Sequence, residues 1–271
     1  MKNNNVVNSL FLKIFGVITM TCDHFSKLCS FMNITWINEN LLNIFDIIGR
    51  LSFPIFAFLI IEGMIHSSNK NKYLLRLFIL SVVCDLCFYL FTSFYWGNPI
   101  TTLFLGAYAI YFLQKKNNLL KLLSIIPSSI ILLISFEVIP LLSMYDLYGF
   151  ITILLFYLGY LLSKPICRFV SKTLQIEEEI FINEYEFVTR KLISSLLFLI
   201  FTIIIWISNP IYKTNNIFID EPTLQLYSIL SIIPILFYNG KKGYNNKWVQ
   251  YIFYLYFPLH LGIIYILLLI I

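Results

Sequence analysis

Charge is scarce in this 271-residue sequence: Asp, Glu, Lys and Arg make up 12% of it, whereas 59% is hydrophobic. Soluble domains carry roughly 25% charged residues, so the chain has too little polar surface to cover a water-soluble globule. The mean hydropathy of +0.82 supports that exclusion. Because one bilayer crossing needs about 20 apolar residues, nine crossings would use about 180 residues and leave no room for a large soluble domain.

The sequence also gives little indication of a disulfide framework or of a cleavable leader. The five cysteines lie mostly inside apolar runs, which argues against a disulfide framework. No small-residue cleavage pattern follows the first apolar stretch, so we expect that stretch to remain as a helix. In a membrane protein the net charge of +5 concerns orientation first, so nucleic acid is not an expected partner. We expect no metal site.

Nine apolar runs separated by polar residues predict an all-α polytopic membrane helix bundle with about nine transmembrane helices. The runs are 11–31, 43–66, 73–94, 100–114, 119–139, 147–163, 191–208, 222–238 and 248–270. We therefore expect one integral membrane domain over residues 1–271, located as a multi-pass protein in the cell membrane. The connection at 164–190 mixes apolar residues with charges of both signs, which predicts a cytoplasmic interfacial helix.

Basic residues test this arrangement independently. In the nine-span arrangement, 16 of the 19 lysines and arginines fall on one side of the membrane. The exceptions are Lys27, Arg50 and Lys213. Because cytoplasmic loops carry an excess of Lys and Arg, the N-terminus is predicted to be cytoplasmic and the C-terminus to face outward.

Ionisable residues inside the spans are candidate site residues, because they are expensive in lipid and usually face the bundle interior. They are Asp23, His24, Asp46, Arg50, Glu62, Asp85, Glu137 and His260. At about 1.5 Å per residue, His24 and Arg50 both lie about 10 Å below the outer surface, Asp85 about 13 Å and His260 about 15 Å. Four helices therefore contribute to one layer. Asn98, Thr102 and Asp146 lie just above the layer, and Glu62 lies near the cytoplasmic end.

A layer of His, Asp and Arg has a chemical use in acyl transfer. A neutral histidine removes a proton from the acceptor, a carboxylate fixes its tautomer, and an arginine stabilises an oxyanion. The same residues also fit a proton-linked transporter of a small anion with Arg50 as the clamp, or a salt bridge that only fixes helix packing. His24 pairs with Asp85, or Arg50 pairs with Asp23; the sequence leaves both pairings open.

Short motifs in a fixed order give a more specific indication. They are Asp23-His24, Gly49-Arg50-Leu51 with Phe53-Pro54, Glu62-Gly63, and Tyr254 with Pro258-Leu259-His260. Together, over Leu12 to Leu261, they resemble the TraX family of polytopic membrane proteins. In the third span the family often has Glu-x-Pro-Phe-Asp. This chain departs from that pattern, with Cys84-Asp85-Leu86-Cys87-Phe88 at the corresponding place.

The resemblance implies acetyl transfer, since the family's namesake is associated with N-terminal acetylation of conjugative pilin. Related multi-span enzymes, such as heparan-α-glucosaminide acetyltransferase, take acetyl groups from cytoplasmic acetyl-CoA and use a histidine near the opposite face. Carried over by position, that catalytic role falls on His24, with Asp23 and Arg50 as its catalytic partners. The supporting residues would be Asp85, His260, Asn98, Asp146 and Glu62.

The donor would bind at the cytoplasmic face. In the loop YNGKKG, Gly240 allows close backbone approach beside Lys241 and Lys242, so this loop is the best candidate for the phosphates of acetyl-CoA. Arg76 is a further candidate, although ordinary positive-inside topology also explains these cations. The acceptor would be a peptide, saccharide or lipid at the outer face, next to the lipid bilayer. A structural partner in an assembly or secretion machine is the third possible function.

Overall fold

The computed structural model describes residues 7–92, 98–136, 145–208, 222–244 and 246–270. These residues form helices joined by short connections, which confirms the all-α class for the described part of the chain. The helices are α1 (Ser9–Phe31), α2 (Glu39–Gly49), α3 (Ser52–His66), α4 (Lys70–Thr92), α5 (Pro99–Leu113), α6 (Asn118–Leu122), α7 (Ile125–Ser135), α8 (Asp146–Leu174), α9 (Glu178–Ser208), α10 (Pro222–Gln225), α11 (Ile232–Phe237) and α12 (Lys247–Ile270), with a 3-10 helix (Leu226–Ser231) before α11.

Five helical segments in the described residues are long and apolar enough to cross a membrane. They are Glu39–His66, Asn118–Ser135, Leu147–Leu174, Glu178–Ser208 and Lys247–Ile270. Two shorter apolar segments, Pro99–Leu113 and Thr223–Phe237, accompany them. The chain is therefore a multi-helix protein of the integral membrane type, whereas the count of nine crossings and their orientation stay predictions.

Proline explains why two of the predicted spans are broken in two. A proline lacks an N–H and its ring collides with the carbonyl four residues earlier. Pro54 stands four residues after Arg50, where α2 gives way to α3, and Pro127 stands four residues after Leu123, between α6 and α7. The first of these breaks places Arg50 at a helix junction inside the bundle instead of in mid-helix.

The core surrounds α3, which is buried on nearly all sides by α1, α5 and α8. Beside it α8 and α9 run together as a long hairpin, and a Cβ on Gly159 would lie 2.1 Å from Ser194 Oγ, so only glycine permits this close approach. The connection at 164–190 consists of the ends of these two helices with a turn at Gln175, rather than a separate helix. Its position relative to a bilayer stays a prediction.

The loop after α11 joins the start of α1. The backbone N–H groups of Ser9 and Leu10 donate to the carbonyls of Lys241 and Lys242, at 2.9 and 3.2 Å. The helices α1 and α12 therefore begin at the same end of the molecule. His24 and His260 lie 15 and 13 residues beyond these starts, which brings both to about 20 Å from that end.

Candidate active site

Two histidines from the first and last helices meet in the bundle. Nδ1 of His24 lies 2.5 Å from Nε2 of His260. The rings are stacked, with their centroids 4.8 Å apart, and both residues are buried. On its other side, Nδ1 of His260 lies 2.7 Å from the carbonyl oxygen of Phe257 and 3.1 Å from that of Tyr256.

This chain of hydrogen bonds fixes the tautomers of both rings. A carbonyl oxygen only accepts, so Nδ1 of His260 carries the proton and Nε2 of the neutral ring is the acceptor. Nδ1 of His24 must then be the donor in the short contact between the rings. It follows that neutral His24 carries its lone pair on Nε2, the nitrogen that a general base uses.

An ion-pair cluster of Asp23, Lys27 and Arg50, hereafter the Asp23 cluster, lies beside the histidines. Asp23 and Arg50 are buried, and Lys27 is partly exposed. Asp23 Oδ1 lies 3.0 Å from Arg50 Nη2, and Asp23 Oδ2 lies 2.9 Å from Lys27 Nζ. A Cβ on Gly49 would lie 2.3 Å from Asp23 Cβ, so glycine is what lets the end of α2 approach α1.

A small cavity of about 30 Å³ adjoins these groups. A buried water needs roughly 10–15 Å³, so the cavity has room for about two water molecules, the scale of the three heavy atoms of an acetyl group. Polar groups placed among aromatic walls are typical of small-molecule sites. Six of the residues that line it are Asp23, His24, Lys27, Phe53, Tyr145 and Phe257.

Tyr145 and Lys27 are site residues that the sequence interpretation did not select. Tyr145 immediately precedes α8, and its side chain interacts with Arg50. Burial raises the pKa of the Tyr145 phenol above its usual range, so the hydroxyl is neutral. In the sequence, Tyr145 could have been noticed because it directly precedes the segment DLYGF, 146–150. Lys27 could have been noticed because it is one of the three basic residues that do not follow the positive-inside pattern.

Other predicted site residues lie apart from the histidines. Asn98 Nδ2 donates to Asp85 Oδ1 at 2.6 Å, and Asn98 Oδ1 accepts from the backbone N–H groups that begin α5. The partner of His24 is thus His260 and not Asp85, whereas the pairing of Arg50 with Asp23 is present. Asp146 begins α8, but its side chain and all of Glu137 lie outside the described residues.

Glu62 belongs to a second buried cluster, the Glu62 cluster, with Arg190 and Lys191. Glu62 Oε1 lies 2.8 Å from Arg190 Nη2, and Lys191 Nζ donates to the carbonyls of Leu236 and Tyr238, both at 2.6 Å. Glu62 follows Arg50 by 12 residues, or about 18 Å of helix, so it does not join the His24 site. The two cations were counted as loop charges from the sequence, yet both are buried.

The predicted donor residues lie at the end of the molecule where α1 begins. Lys241, Lys242 and Arg76 are exposed. Gly240 has a φ of +76°, which L residues with a side chain rarely adopt, and it packs on Phe187. Because the first N–H groups of α1 already bind loop carbonyls, a phosphate at this place would be held by lysine side chains.

Comparisons with known proteins give one family and one distant relative. The model of the TraX protein family matches residues 9–219, more than half of the chain, and confirms the resemblance drawn from the motifs. The probable fimbrial assembly protein FimC, serogroup H1, of Dichelobacter nodosus is 34% identical over 85 residues. That segment covers 31% of this chain and 33% of the relative's length. No solved structure matches the chain.

Proposed function

Because the chain belongs to the TraX protein family, we propose that it is a multi-pass membrane acetyltransferase. It would transfer an acetyl group from cytoplasmic acetyl-CoA to an amine or hydroxyl near the outer face. The observation that carries the proposal is the hydrogen-bond chain through His260, which leaves the lone pair of His24 on Nε2 in a ring that lines the cavity.

His24 is the general base in this mechanism. Its Nε2 accepts the proton of the acceptor amine or hydroxyl as the acceptor atom bonds to the thioester carbonyl carbon. When the carbon–sulfur bond breaks, the electron pair leaves with sulfur, and His24 returns the proton to that thiolate. His260 acts as a positioning residue, since its Nε2 holds the Nδ1–H of His24 and so keeps the lone pair on the reactive nitrogen.

The Asp23 cluster supplies the electrostatic part. Negative charge develops on the thioester oxygen during attack, and fixed positive charge in a desolvated site stabilises it. Lys27, which lines the cavity, and Arg50, which pairs with Asp23, carry charge of that sign. Asp23 holds Arg50 in place through the 3.0 Å ion pair.

The donor would enter from the opposite end of the bundle. Lys241 and Lys242 are exposed there and offer charge-assisted hydrogen bonds to phosphate. His24 lies 15 residues along α1 from this end, a rise of about 22 Å. A donor with a long flexible arm between its phosphates and its thioester suits that separation, which favours acetyl-CoA over a compact acetyl donor such as acetyl phosphate.

The acceptor class draws on the relative from Dichelobacter nodosus, whose name is that of a probable fimbrial assembly protein. We propose an amine of a fimbrial or pilin subunit as the acceptor, with saccharide and lipid acceptors as alternatives. The same name favours a second function, in which the chain is a structural partner during fimbrial assembly and transfers nothing. That function predicts altered complex formation, rather than altered turnover, when the Asp23 cluster is changed.

Turnover by the purified chain in lipid nanodiscs tests the proposal. Acetyl-CoA is supplied with three acceptors in turn: a peptide with a free N-terminal amine, an amino sugar and an aminophospholipid. We expect acceptor-dependent release of free thiol, lost in His24→Gln and kept in His66→Gln, because His66 is half exposed at the end of α3 and contacts Glu62 instead.

Two results would contradict the acetyltransferase. One is absence of turnover with all three acceptors, and the other is a His24→Gln variant as active as the unaltered chain. A transporter of a small anion would instead show flux in proteoliposomes that depends on Arg50 and needs no acetyl-CoA.

A further inference from the structure

Tyr145 has an unusual backbone conformation at the edge of the cavity. Its φ is +68° and its ψ is −2°, in the left-handed region that an aromatic residue rarely occupies. Such a residue stays in place only when the surrounding contacts determine it, and such positions cluster at functional sites. Tyr145 was not among the residues selected from the sequence.

Three contacts hold the Tyr145 side chain and backbone. Its ring stacks on Phe53, with centroids 4.3 Å apart and an interplanar angle of 21°. Its carbonyl accepts a 2.6 Å hydrogen bond from the N–H of Gly149 in the first turn of α8. A Cβ on Gly149 would lie 2.6 Å from Phe53 Cζ and 2.8 Å from Tyr145 Cβ. Glycine at 149 is therefore a condition for the stacked position of Tyr145.

The Tyr145 hydroxyl still has a proton to donate. Arg50 interacts with the Tyr145 side chain, and because a guanidinium has donors only, it faces the phenol oxygen as a donor and leaves the hydroxyl proton in place. A donor that itself accepts from a cation is polarised, and it donates more strongly. Tyr145 lines the same cavity as His24, so the phenol borders the space where the reacting carbonyl would lie.

We propose that Tyr145 is a catalytic residue that donates a hydrogen bond to the thioester carbonyl oxygen as this oxygen becomes an oxyanion. This inference rests on the proposed acetyl transfer. As the acceptor's lone pair forms its bond to the carbonyl carbon, the π pair of the C=O bond moves to oxygen. Tyr145 keeps its proton throughout, and Arg50 polarises the phenol from the other side. The carbonyl then re-forms as the C–S bond breaks, and sulfur takes the proton held by His24.

The test is steady-state turnover of the full chain in nanodiscs with acetyl-CoA and the acceptor that the unaltered chain uses. Tyr145→Phe keeps the ring that stacks on Phe53 and removes only the hydroxyl. We expect kcat to fall about 10²- to 10³-fold, the loss typical of one oxyanion donor, with the KM for acetyl-CoA unchanged. The matched control is Tyr148→Phe, whose hydroxyl bonds Thr202 and Ser228 at 2.9 and 3.1 Å. It should keep the original kcat.

A second pair of variants covers the case in which Tyr145→Phe does not fold. Gly149→Ala keeps the phenol but pushes against Phe53 and Tyr145, so kcat should fall. Gly106→Ala is the control, because it presses on Ile153 instead. The Tyr145 inference is overturned if folded Tyr145→Phe or Gly149→Ala keeps the original kcat while His24→Gln is inactive. Absence of turnover by the unaltered chain overturns the proposed function itself, and the Tyr145 role with it.

Discussion

The Asp23 cluster and the Glu62 cluster are built from the same parts. Each has one buried carboxylate and two cations, with an arginine–carboxylate distance of 3.0 Å in the first and 2.8 Å in the second. They differ in what their cations face. Lys27 lines a cavity and Arg50 interacts with Tyr145. Lys191, by contrast, donates both of its hydrogen bonds to backbone carbonyls at the end of α11.

Buried charge alone therefore does not identify a functional site. In the Glu62 cluster, Arg190 also lies beside the rings of Phe187 and Tyr160, at 5.0 and 5.8 Å. These contacts join α3, α9 and the loop after α11, so the charged groups of this cluster hold structural elements together. His24, which lies beside the Asp23 cluster, has its lone pair on Nε2 and lines the cavity. The difference predicts that one cluster controls turnover and the other controls stability.

The largest expected effect is on turnover at His24. His24→Gln should lower kcat by about 10²- to 10⁴-fold, because it removes the general base. Glu62→Gln should leave kcat per folded molecule unchanged, although it lowers the yield of folded protein. Thiol release normalised to the folded fraction makes the measurement. Equal losses in the two variants would remove the distinction between the clusters.

The next effect is on the free energy of unfolding, which we expect to fall more on substitution in the Glu62 cluster than in the Asp23 cluster. Arg190→Met removes the arginine at 2.8 Å from the buried Glu62 carboxylate and leaves the more exposed His66 at 3.7 Å, which costs about 3–5 kcal/mol. Arg50→Met should cost less, because Asp23 still has Lys27 at 2.9 Å. The free energy of unfolding from denaturant titration in one detergent measures both.

A double variant serves as the control for this stability effect. Glu62→Gln together with Arg190→Met removes both charges of the pair, so it should recover much of the stability that Arg190→Met loses. If Arg50→Met proves as destabilising as Arg190→Met, Lys27 does not compensate Asp23.

A smaller effect is expected at His260, the hydrogen-bond acceptor of His24. His260→Phe keeps an aromatic ring but leaves Nδ1–H of His24 without its acceptor, a loss of about 1–3 kcal/mol or roughly 5- to 150-fold in kcat. Tyr256→Phe is the matched control, since it removes a hydroxyl that bonds Thr21 and keeps the ring that stacks on His260. A His260→Phe variant with unchanged kcat would show that His24 needs no tautomer partner.

The smallest effect is expected at Lys27, whose side chain is 32% exposed. An ion pair this close to solvent contributes about 0–1 kcal/mol, so Lys27→Gln should reduce kcat by no more than about fivefold. Kinetics at low and high salt would check this, because screening should shrink the difference. A loss of more than tenfold would place Lys27 in direct contact with the substrate.

That His24, Arg50 and His260 share one level of the bundle was predictable from the sequence, but their pairings were not. Helical rise is constant, so counting from the ends of apolar runs placed His24, Arg50 and His260 at similar heights. Which side chains meet at that height depends on the rotation of each helix about its axis, which is set by packing. For that reason the pairing of Arg50 with Asp23 was one of two open alternatives, and the contact between His24 and His260 was not foreseen.

Residues near the ends of the runs were the hardest to interpret. Arg190 and Lys191 stand where a span begins, so their charges were assigned to topology; only the approach of α3 and the loop after α11 shows them to be buried. Tyr145 lies in a connection, where no periodicity applies. By contrast, Lys27 and Arg50, two of the three exceptions to the charge pattern, both belong to the Asp23 cluster. The third, Lys213, lies outside the described residues.

The contact between His24 and His260 also has a consequence for biosynthesis. The two residues are 236 positions apart, so at about 5–20 residues per second the ribosome needs about 10–50 s to make the second after the first. During that interval α1 is already synthesised, but it has neither the imidazole partner on α12 nor the loop carbonyls that cap its first turn. A nascent or prematurely terminated chain thus contains His24, the proposed general base, without the imidazole that fixes its tautomer.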